Sequence, residues 1–360
     1  MPTIPTNNVT ALETYAGTYS QALIGQLLNG LDIAQDIYVM RNVRGPVNLT
    51  KLTITKGIRP LDLSIDDVDE TGRVWSGRKI SVQPAMKIFK VIPDELLKTW
   101  MSEMLDINTA QEQFAQWCWN QEFATVAEEI NESVFYAEYH ADAAAFNAGT
   151  VYNAGDVIVF TDKNFYKANA TTTAGQSPTS TPAKWDNINA SAICDGLGTI
   201  IKDEITGGGI AADHIIATNT FSTTNAVAEL RKLYLGAPSK FRKKKAIMYI
   251  SSSVMEMYRT DYDTRYGKGN SINDNTEDAP VIYLKGTQQR VLLKECSWMG
   301  DSQRVIYTFD KNLVMATDQL DAANSIGKMI PILHGYKAVM KYLIGFQIQD
   351  LEVLYVNDKL

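Results

Sequence analysis

The sequence predicts an α+β protein that carries a small all-β insertion, and three observations support this fold class. Short apolar runs broken by Gly, Pro and Asp between Leu52 and Val91 indicate strands. From Thr109 onward the apolar residues recur at helical spacing, with no Gly or Pro before Gly149. Between residues 147 and 189 the composition shifts abruptly to Thr, Ala, Asn, Gly and Pro. A chain of 360 residues is long enough for two or three such units.

Composition and charge exclude several classes of protein. Hydrophobic residues make up 45% and charged residues 21% of the chain, which are globular values. The 34 Lys and Arg against 41 Asp and Glu give a formal charge of -7, which argues against a broad basic surface for nucleic acid. Cys118, Cys194 and Cys296 lie far apart without a CxxC pair, so neither a disulfide framework nor an ordinary zinc site is predicted. We expect the chain to fold in a reducing cytoplasm.

No targeting or membrane segment is predicted. The first ten residues, MPTIPTNNVT, have neither a basic region nor an apolar stretch of the kind found in signal peptides. The longest apolar runs are a handful of residues, well short of the ~20 that a membrane-spanning helix needs. We therefore expect a protein that is not secreted by this route and has no membrane partner.

The first 92 residues are predicted to form an N-terminal arm (1–50) and an extended hairpin (51–92). In the arm, a capping box at Thr10 predicts a helix that ends near Gly30. The hairpin strands are predicted at the apolar runs Leu52–Ile54, Leu61–Ile65, Val74–Val82 and Met86–Val91, with an acidic turn at Asp66–Gly72. Because so long a hairpin has little core of its own, we expect another copy of the chain to cover it.

A long helix is predicted to dominate residues 93–146. A short helix starts at Pro93, and a second capping box at Thr109 opens a helical pattern of about 35 residues, on the order of 50 Å long. Its apolar stripe is assigned to core packing and comprises Phe114, Trp117, Phe123, Val126, Ile130 and Val134.

The remaining chain is predicted to comprise a small β unit (147–190), an α/β region (191–335) and closing strands (336–360). The β unit has strand runs at Val157–Phe160 and Phe165–Ala168. The later elements are predicted as helices at Ile193–Ile205, Asn225–Leu235 and Val254–Tyr262 and as extended runs at Asp213–Thr218, Ala246–Ile250, Tyr342–Ile348 and Leu351–Val356.

Signatures of catalysis fail on their spacing. Gly267–Asn270 lacks the ends of a P-loop, and Gly207–Gly209 is not placed between a strand and a helix. A calcium-loop pattern beginning at Asp67 has Arg78 at its twelfth position, where a bidentate Glu is required. The three histidines, His140, His214 and His334, stand singly. We predict no catalytic residue, no cofactor and no metal, and hence a protein that is not an enzyme.

One run of positive charge has two interpretations. Lys240, Arg242, Lys243, Lys244 and Lys245 precede the strand predicted at Ala246. As a structural feature, the run is a solvated loop that enters a strand. As a functional feature, it is a contact to another subunit or to confined DNA, although one such run cannot make a sequence-specific binder.

The order of these parts resembles the major capsid protein of tailed bacteriophages, which has the Hong Kong 97-type fold. Trp75–Val82 followed by Pro93–Trp100 looks like the return of the extended loop and the helix after it. Ala226–Tyr266 is similar to the helix-strand-helix of the axial domain. Asn312–Asp318 and Gly345–Gln349 resemble the closing segments, most of all in crAss-like phages of Bacteroidetes. The resemblance implies a peripheral domain (93–146 and 336–360) with a spine helix, and an axial domain (191–335).

The segment 147–190 resembles the small chitin- and cellulose-binding modules of bacterial chitinases. The similarity lies in YxxGDxV at Tyr152, FYKA at Phe165, GxxP at Gly175 and then Trp185. Those modules stack aromatic rings on sugar faces, which implies glycan contacts by Tyr152, Phe165, Tyr166 and Trp185. Asn169 follows FYKA where the family has an aromatic residue, so a purely structural module is the alternative.

The capsid resemblance implies a structural protein that self-assembles into the icosahedral head of a tailed dsDNA phage. Hexamers and pentamers of the chain would form the shell, together with portal, scaffolding and auxiliary capsid proteins, after synthesis in the cytoplasm of the host bacterium. Trp75, Arg78 and Lys79 of the extended loop would contact a neighbouring subunit, and the insert would project outward toward host-surface or mucosal glycans. The alternatives are a secreted carbohydrate-binding protein and a tail or baseplate protein of a virion.

Overall fold

The computed structural model describes residues 30–54, 73–91, 110–140, 142–266, 282–318, 329–332 and 335–359. Several sequence predictions fall outside these ranges, namely the helix before Gly30, the run Leu61–Ile65, the acidic turn, the helix at Pro93 and the loop Gly267–Asn270. No helix of the described residues has the length and apolar character to cross a membrane.

The described chain alternates strands with helices. The first half contains α1 (Asp32–Asp36), β1 (Tyr38–Met40), β2 (Val47–Ile54), β3 (Arg73–Ile80), β4 (Gln83–Val91), α2 (Ala110–Ser133), β5 (Ala144–Ala145), β6 (Val157–Val159), β7 (Phe165–Ala168) and β8 (Trp185–Asn187). The second half contains α3 (Leu197–Thr206), β9 (Ile215–Ile216), α4 (Ala226–Gly236), α5 (Ser239–Arg242), β10 (Ala246–Ser251), α6 (Ser252–Tyr266), β11 (Ile282–Tyr283), β12 (Val291–Cys296), β13 (Ile306–Thr308), β14 (Leu313–Thr317), β15 (Met329–Ile332), β16 (Gly335–Ile348) and β17 (Tyr355–Asn357).

These strands form four sheets. A five-stranded sheet has the order β1-β14-β16-β15, with β4 also paired to β16. A six-stranded sheet has the order β11-β12-β10-β13-β17-β9. The hairpin β2-β3 is a separate antiparallel ribbon, and β5-β6-β7-β8 form a small four-stranded sheet. The mixture of helices with several sheets is the α+β class expected from the sequence.

The largest core packs α2 and α3 against the five-stranded sheet. Phe123, Val126 and Ile130 of α2 are buried, as the predicted stripe requires. Trp119, which that stripe omits, is fully buried and meets Phe89 of β4 edge to face, with ring centroids 5.0 Å apart. An aromatic edge-to-face pair adds about 0.5–1.5 kcal/mol to the burial of its area.

The predicted length of the long helix is wrong. The sequence pattern predicts a helix of about 35 residues from Thr109, whereas α2 ends at Ser133 and has 24 residues. Phe135 turns into the core, where its ring lies 5.5 Å from that of Trp298. The backbone carbonyl of Phe135 accepts a hydrogen bond from the amide of Gly198, and not from an amide of a continued helix. Tertiary packing therefore ends a helix that local helix propensity would extend.

The second core lies between the six-stranded sheet and helices α4 and α6. Leu230 and Leu233 of α4 and Val254 and Tyr258 of α6 are buried there. The predicted bounds of α4 and β10 are confirmed to within one residue at both ends. The strand expected at Asp213–Thr218 is shorter, because a 3-10 turn precedes β9 and leaves two paired residues.

Strand pairing links regions that are distant in sequence. β14 pairs with β16, although β14 lies before the predicted domain boundary at residue 336 and nearly all of β16 lies after it. β17, after that boundary, pairs with β13 and β9 in the six-stranded sheet. The chain therefore crosses three times between the two main sheets, and these crossings hold the sheets in one body.

Candidate functional site

The hairpin β2-β3 projects from the body with most of its side chains exposed. Eight residue pairs join the two strands, from Val47 opposite Ile80 to Ile54 opposite Arg73. Ile80 and Leu49 at the near end are buried in a small cluster with β14. At the far end, Ile54 is 64% exposed and Trp75 is 70% exposed. A Trp exposed on a ribbon with so little core leaves a large apolar surface that no other described residue covers.

The predicted loop contacts have different environments. Trp75 and Lys79 are exposed and remain available to a neighbouring molecule. The guanidinium of Arg78 instead bonds within the chain, to the Oε1 of Glu204 at 2.6 Å and to the amide oxygen of Gln347 at 2.8 Å. Arg78 therefore fixes the hairpin to α3 and β16, and only part of its donor capacity is left for another subunit.

Three further ion pairs, made by two basic residues, hold the base of the hairpin. Lys51 of β2 lies 2.8 Å from Asp350 and 2.6 Å from Glu352, which flank the start of the last 3-10 turn. Arg44, just before β2, lies 2.8 Å from the buried carboxylate of Asp318. Sequence reasoning missed these contacts, because isolated Lys and Asp residues give no pairing signal. They set the direction in which the hairpin leaves the body.

The small four-stranded sheet has a core and a hydrogen-bond network of its own. Its cluster contains Tyr152, Ile158, Ala168 and Trp185, and Phe146 and Tyr166 pack against it. Among the described residues, the hydrogen bonds of 144–187 all close within 144–189. This unit is complete without help from the rest of the chain.

Two of the predicted glycan contacts are buried in that core. Trp185 is 5% exposed and donates its indole N–H to the carbonyl of Gln176, and Tyr152 is 9% exposed. A ring enclosed on both faces cannot stack on a sugar, so these two residues are structural, and their assignment to glycan binding is corrected. Phe165 and Tyr166 are half-buried, and the hydroxyl of Tyr166 bonds to Asp162 at 2.9 Å.

A tight neck joins the small sheet to the body. The amide of Glu138 donates to the carbonyl of Ser191, and the amide of Gly196 donates to that of Ala137, both at 2.8 Å. A Cβ on Gly196 would lie 1.9 Å from the carbonyl oxygen of Val134, so this position accepts only glycine without a shift of the backbone. The two connecting segments therefore run together and leave the body at one place.

The positive run lies on and after the short helix α5. Phe241 is buried against Phe309, Tyr307 and Tyr355, and this burial fixes the helix to the six-stranded sheet. We call Lys240, Arg242, Lys243, Lys244 and Lys245 the cationic patch. No carboxylate among the described residues forms an ion pair with any of them, and all except the half-buried Arg242 are exposed.

The described residues do not assemble a catalytic constellation. Burial raises the pKa of Cys194 to about 12, and Cys296 is buried as well, so neither thiol is a ready nucleophile. His214 contacts the ring of Tyr355 and the carbonyl of Leu354, which is a packing role. No group of three metal-ligating side chains occurs within the described part of the chain.

Known structures provide the comparison that sequence does not. No protein-family description matches the sequence, and no curated protein matches it. A chain of the satellite phage P4 procapsid, which includes the size determination (Sid) protein, superposes with a TM-score of 0.52 at 10% identity, covering 94% of this chain and 90% of that one. The chain has the Hong Kong 97-type capsid fold.

Two other structures are similar over comparable lengths. A chain of Gordonia phage Cozz aligns at 12% identity with a TM-score of 0.45, over 90% of this chain and 85% of that one. A chain of the holo-SrpI encapsulin complex from Synechococcus elongatus aligns at 12% identity with a TM-score of 0.40, over 91% and 86% of the two chains.

Proposed function

We propose that the protein is the major capsid protein of a tailed dsDNA phage and that copies of it assemble into an icosahedral head. The observation that carries the proposal is the exposed apolar hairpin of a chain with a capsid fold. Burying a Trp and an Ile side chain contributes roughly 1.5–3 kcal/mol each, and a second copy can supply that burial at every subunit of a closed shell.

In this proposal the parts have separate roles. The arm (1–50) and the extended hairpin (51–92) reach neighbouring subunits, and Trp75 and Lys79 make the contact while Arg78 anchors the hairpin. Residues 93–146 and 336–360 form the peripheral domain, and residues 191–335 form the axial domain. The protein acts as a structural component of the virion, without catalysis, and is made in the cytoplasm of the host bacterium.

The acidic balance of the chain suits containment of DNA. A wall with a formal charge of -7 per subunit does not bind phosphate strongly, and confinement keeps the genome inside without sequence-specific contacts. Portal, scaffolding and auxiliary proteins would complete such a head, and we propose that the phage resembles the crAss-like phages.

The small sheet projects from the shell in this proposal. Both of its connections pass through one neck, so the unit leaves the body at a single place. A contact to host-surface or mucosal glycans would use Phe165 and Tyr166, since their rings are half-exposed. Many copies on one particle would add avidity to a weak site. Glycan arrays with intact particles test this role, and an absence of binding would leave the module as surface decoration.

Assembly of the purified chain tests the main proposal. We expect capsomers or closed shells by sedimentation and electron microscopy, and nuclease-protected DNA in particles made during phage infection. A well-behaved monomer at micromolar concentration would contradict a shell role. Tubes in place of closed shells would favour a tail protein, and a soluble glycan-binding monomer would favour the carbohydrate-binding alternative.

A further inference from the structure

The cationic patch is part of a larger charged surface that only the fold brings together. The amide of Ala246, the first residue of β10, donates to the carbonyl of Arg290 at 3.0 Å, so Lys245 lies beside Arg290. β13 runs antiparallel to β10, and the turn after β13 carries the exposed Lys311 to the same end of the six-stranded sheet. We call the cationic patch together with Arg290 and Lys311 the charged edge.

The charges of this edge are not neutralised by their surroundings. The segments 239–246, 285–291 and 309–312 form the edge, and every charged residue in them except Asp310 is Lys or Arg. Among the residues that the structure describes, neither Asp310 nor any cation of the edge forms an ion pair. A chain with a formal charge of -7 thus has one edge of the opposite sign.

Aromatic rings fix the direction of two of these charges. Arg242 lies over the ring of Tyr234, with 5.7 Å from its Cζ to the ring centroid, and Lys244 lies over Phe309, with 5.2 Å from its Nζ. Cation–π contacts of this kind hold a charged group in place. A ligand that binds the edge therefore loses less side-chain entropy than one that has to order flexible lysines alone.

Two polar groups beside the patch have hydrogen-bonding capacity left over. The Nε of Arg242 is buried and has no hydrogen-bond partner in the described part of the chain. Tyr307, whose ring centroid lies 6.3 Å from that of Tyr234, is fully buried, and its hydroxyl has no such partner either. The half-buried guanidinium of Arg242 is therefore not saturated by its own chain, and an anion at its outer nitrogens gains charge-assisted hydrogen bonds.

The two turns that border the patch contain strained backbone. Gln288 and Gln289, just before Arg290, have φ values of 53° and 58°, and Lys311 has a φ of 66°. Each non-glycine residue in this left-handed region costs on the order of 1 kcal/mol, and such strain is concentrated at binding sites. The side-chain oxygen of Gln288 accepts a hydrogen bond from Arg290 at 2.7 Å, so the strained turn also positions a cation of the edge.

The residue types favour phosphate over an acidic protein as the ligand. Protein interfaces depend on aromatic and apolar anchors and are depleted in Lys, whereas Lys and Arg are the usual contacts to phosphate. The aromatic rings of Phe241 and Tyr307 are buried, so the edge offers mainly Lys side chains to a ligand. The ends of β12, β10 and β13 span roughly 10 Å, which matches about three phosphates of one DNA strand.

We propose that the charged edge binds the phosphate backbone of DNA without reading its sequence. This inference rests on the proposed capsid function and deepens it, because the packaged genome is then the ligand. One edge contacts only a few phosphates, so the binding is weak, with a Kd of roughly 10⁻⁴–10⁻⁶ M. Many copies in a shell bind the same DNA at once, which adds avidity to each weak contact.

Removal of charge from the edge tests the proposal. The edge variant replaces three exposed lysines that form no ion pair, by the substitutions Lys240→Gln, Lys243→Gln and Lys245→Gln. The control variant replaces three exposed lysines elsewhere, by the substitutions Lys163→Gln, Lys167→Gln and Lys202→Gln. Both variants change the net charge equally, so a loss of binding in the edge variant alone is a local effect. Equal melting temperatures show that both keep the fold.

The measurement is the fluorescence anisotropy of a labelled DNA duplex of mixed sequence, mixed with unassembled full-length chain at several salt concentrations. We expect the unmodified chain and the control variant to bind the duplex alike. The Kd of the edge variant should be at least ~tenfold higher at low salt. The slope of log K against log salt should be smaller by about three in the edge variant, because each lost phosphate contact removes nearly one.

Three results overturn the proposal. Equal DNA binding by the edge variant and the unmodified chain means that the edge does not contact DNA. Binding of poly-glutamate as tight as that of DNA at equal charge, lost in the edge variant, identifies an acidic protein as the ligand. Displacement of the duplex by inorganic pyrophosphate at equal charge identifies a site for small phosphates.

Failure of the capsid function gives a different result from failure of this inference. If the unmodified chain forms no shells, the capsid function is wrong, whatever the anisotropy shows. If shells form normally and the edge variant binds DNA like the unmodified chain, the capsid function stands and only the DNA contact is wrong.

Discussion

The hairpin and the small four-stranded sheet both project from the body, yet they are stabilised in opposite ways. The sheet closes its hydrogen bonds internally and buries Tyr152 and Trp185 in its own cluster. The hairpin has only a small cluster at its near end and depends on ion pairs of Lys51 and Arg78 with the body. Its far end exposes Trp75. The sheet thus has a core of its own, whereas the described part of the hairpin leaves its far end exposed.

This contrast predicts that damage to the hairpin affects assembly without affecting folding. Trp75→Asp places a charge on a side chain that is 70% exposed, so the free energy of unfolding of the monomer should change by less than about 0.5 kcal/mol. Shell formation should be lost, because a charge cannot be buried in the contact with a neighbour. Chemical denaturation and sedimentation of the same preparation measure both quantities.

Val151→Asp is the matched control for that substitution. Val151 is an exposed apolar residue of the small unit, 53% accessible. We expect shells of normal yield from it. Equal yields of shells from Trp75→Asp and Val151→Asp would show that the exposed surface of the hairpin takes no part in assembly. The proposed difference between the hairpin and the small sheet would then be wrong.

The converse prediction concerns the core of the small sheet. Trp185→Ala removes the ring that contacts Tyr152 and Phe146, and the cavity should cost about 3–5 kcal/mol, enough to unfold so small a unit. Hydrogen exchange should become fast across residues 144–187 and stay slow in β10 and β12. Assembly should continue, because the two main cores do not include this unit. A loss of slow exchange in β10 would show that the module and body fold together.

The neck that joins the small sheet to the body is sensitive to a single methyl group. Gly196→Ala puts a Cβ within 1.9 Å of the carbonyl oxygen of Val134 and 2.4 Å of that of Phe135. We expect the free energy of unfolding of the body to fall by about 2–3 kcal/mol, with a lower melting temperature, because the backbone has to shift. Gly45→Ala, which meets no atom within 4 Å, is the control and should leave the melting temperature unchanged. Identical melting curves for the two variants would mean that the neck is loose.

Sequence patterns predicted these regions unequally. Local signals predict the strands at Val74–Val82 and Met86–Val91 and the helical spacing around Phe123, and the structure has a strand or helix at each place. The assignment of Met86–Val91 to the hairpin is wrong, because β4 pairs with β16 of the five-stranded sheet, and the run Leu61–Ile65 lies outside the described residues. Lys51 and Asp350 are 299 positions apart, and nothing near either residue announces the other. The end of α2 at Ser133 depends on the contact of Phe135 with Trp298, which local spacing does not contain. Thus the sequence was informative on elements and uninformative on the long-range contacts that orient them.

The smallest effect we predict is a difference in pH response between the two projections. Burial would lower the pKa of Lys51, but hydrogen bonds to Asp350 and Glu352 outweigh it and raise the pKa above 10.5. A group whose pKa is higher in the folded state than in the unfolded state stabilises the fold at pH values below its unfolded-state pKa. This stabilisation is lost as the pH rises through the folded-state pKa. The contribution of Lys51 to anchoring the hairpin should therefore be lost as pH rises above 10.5, and hydrogen exchange of β2 at rising pH measures it.

The small sheet should respond at the other end of the pH scale. Slight burial would raise the pKa of Asp162, but hydrogen bonds from Asn164 and Tyr166 outweigh it and lower the pKa below 3.8. A group whose pKa is lower in the folded state than in the unfolded state stabilises the fold at pH values above its unfolded-state pKa. This stabilisation is lost as the pH falls through the folded-state pKa. As pH falls below 3.8, the protection factors of residues 144–187, which already correct for the slower intrinsic exchange in acid, should therefore decrease in the native chain and decrease less in Asp162→Asn, whose amide does not titrate. Equal loss of protection in acid for the native chain and for Asp162→Asn would show that Asp162 does not control this response.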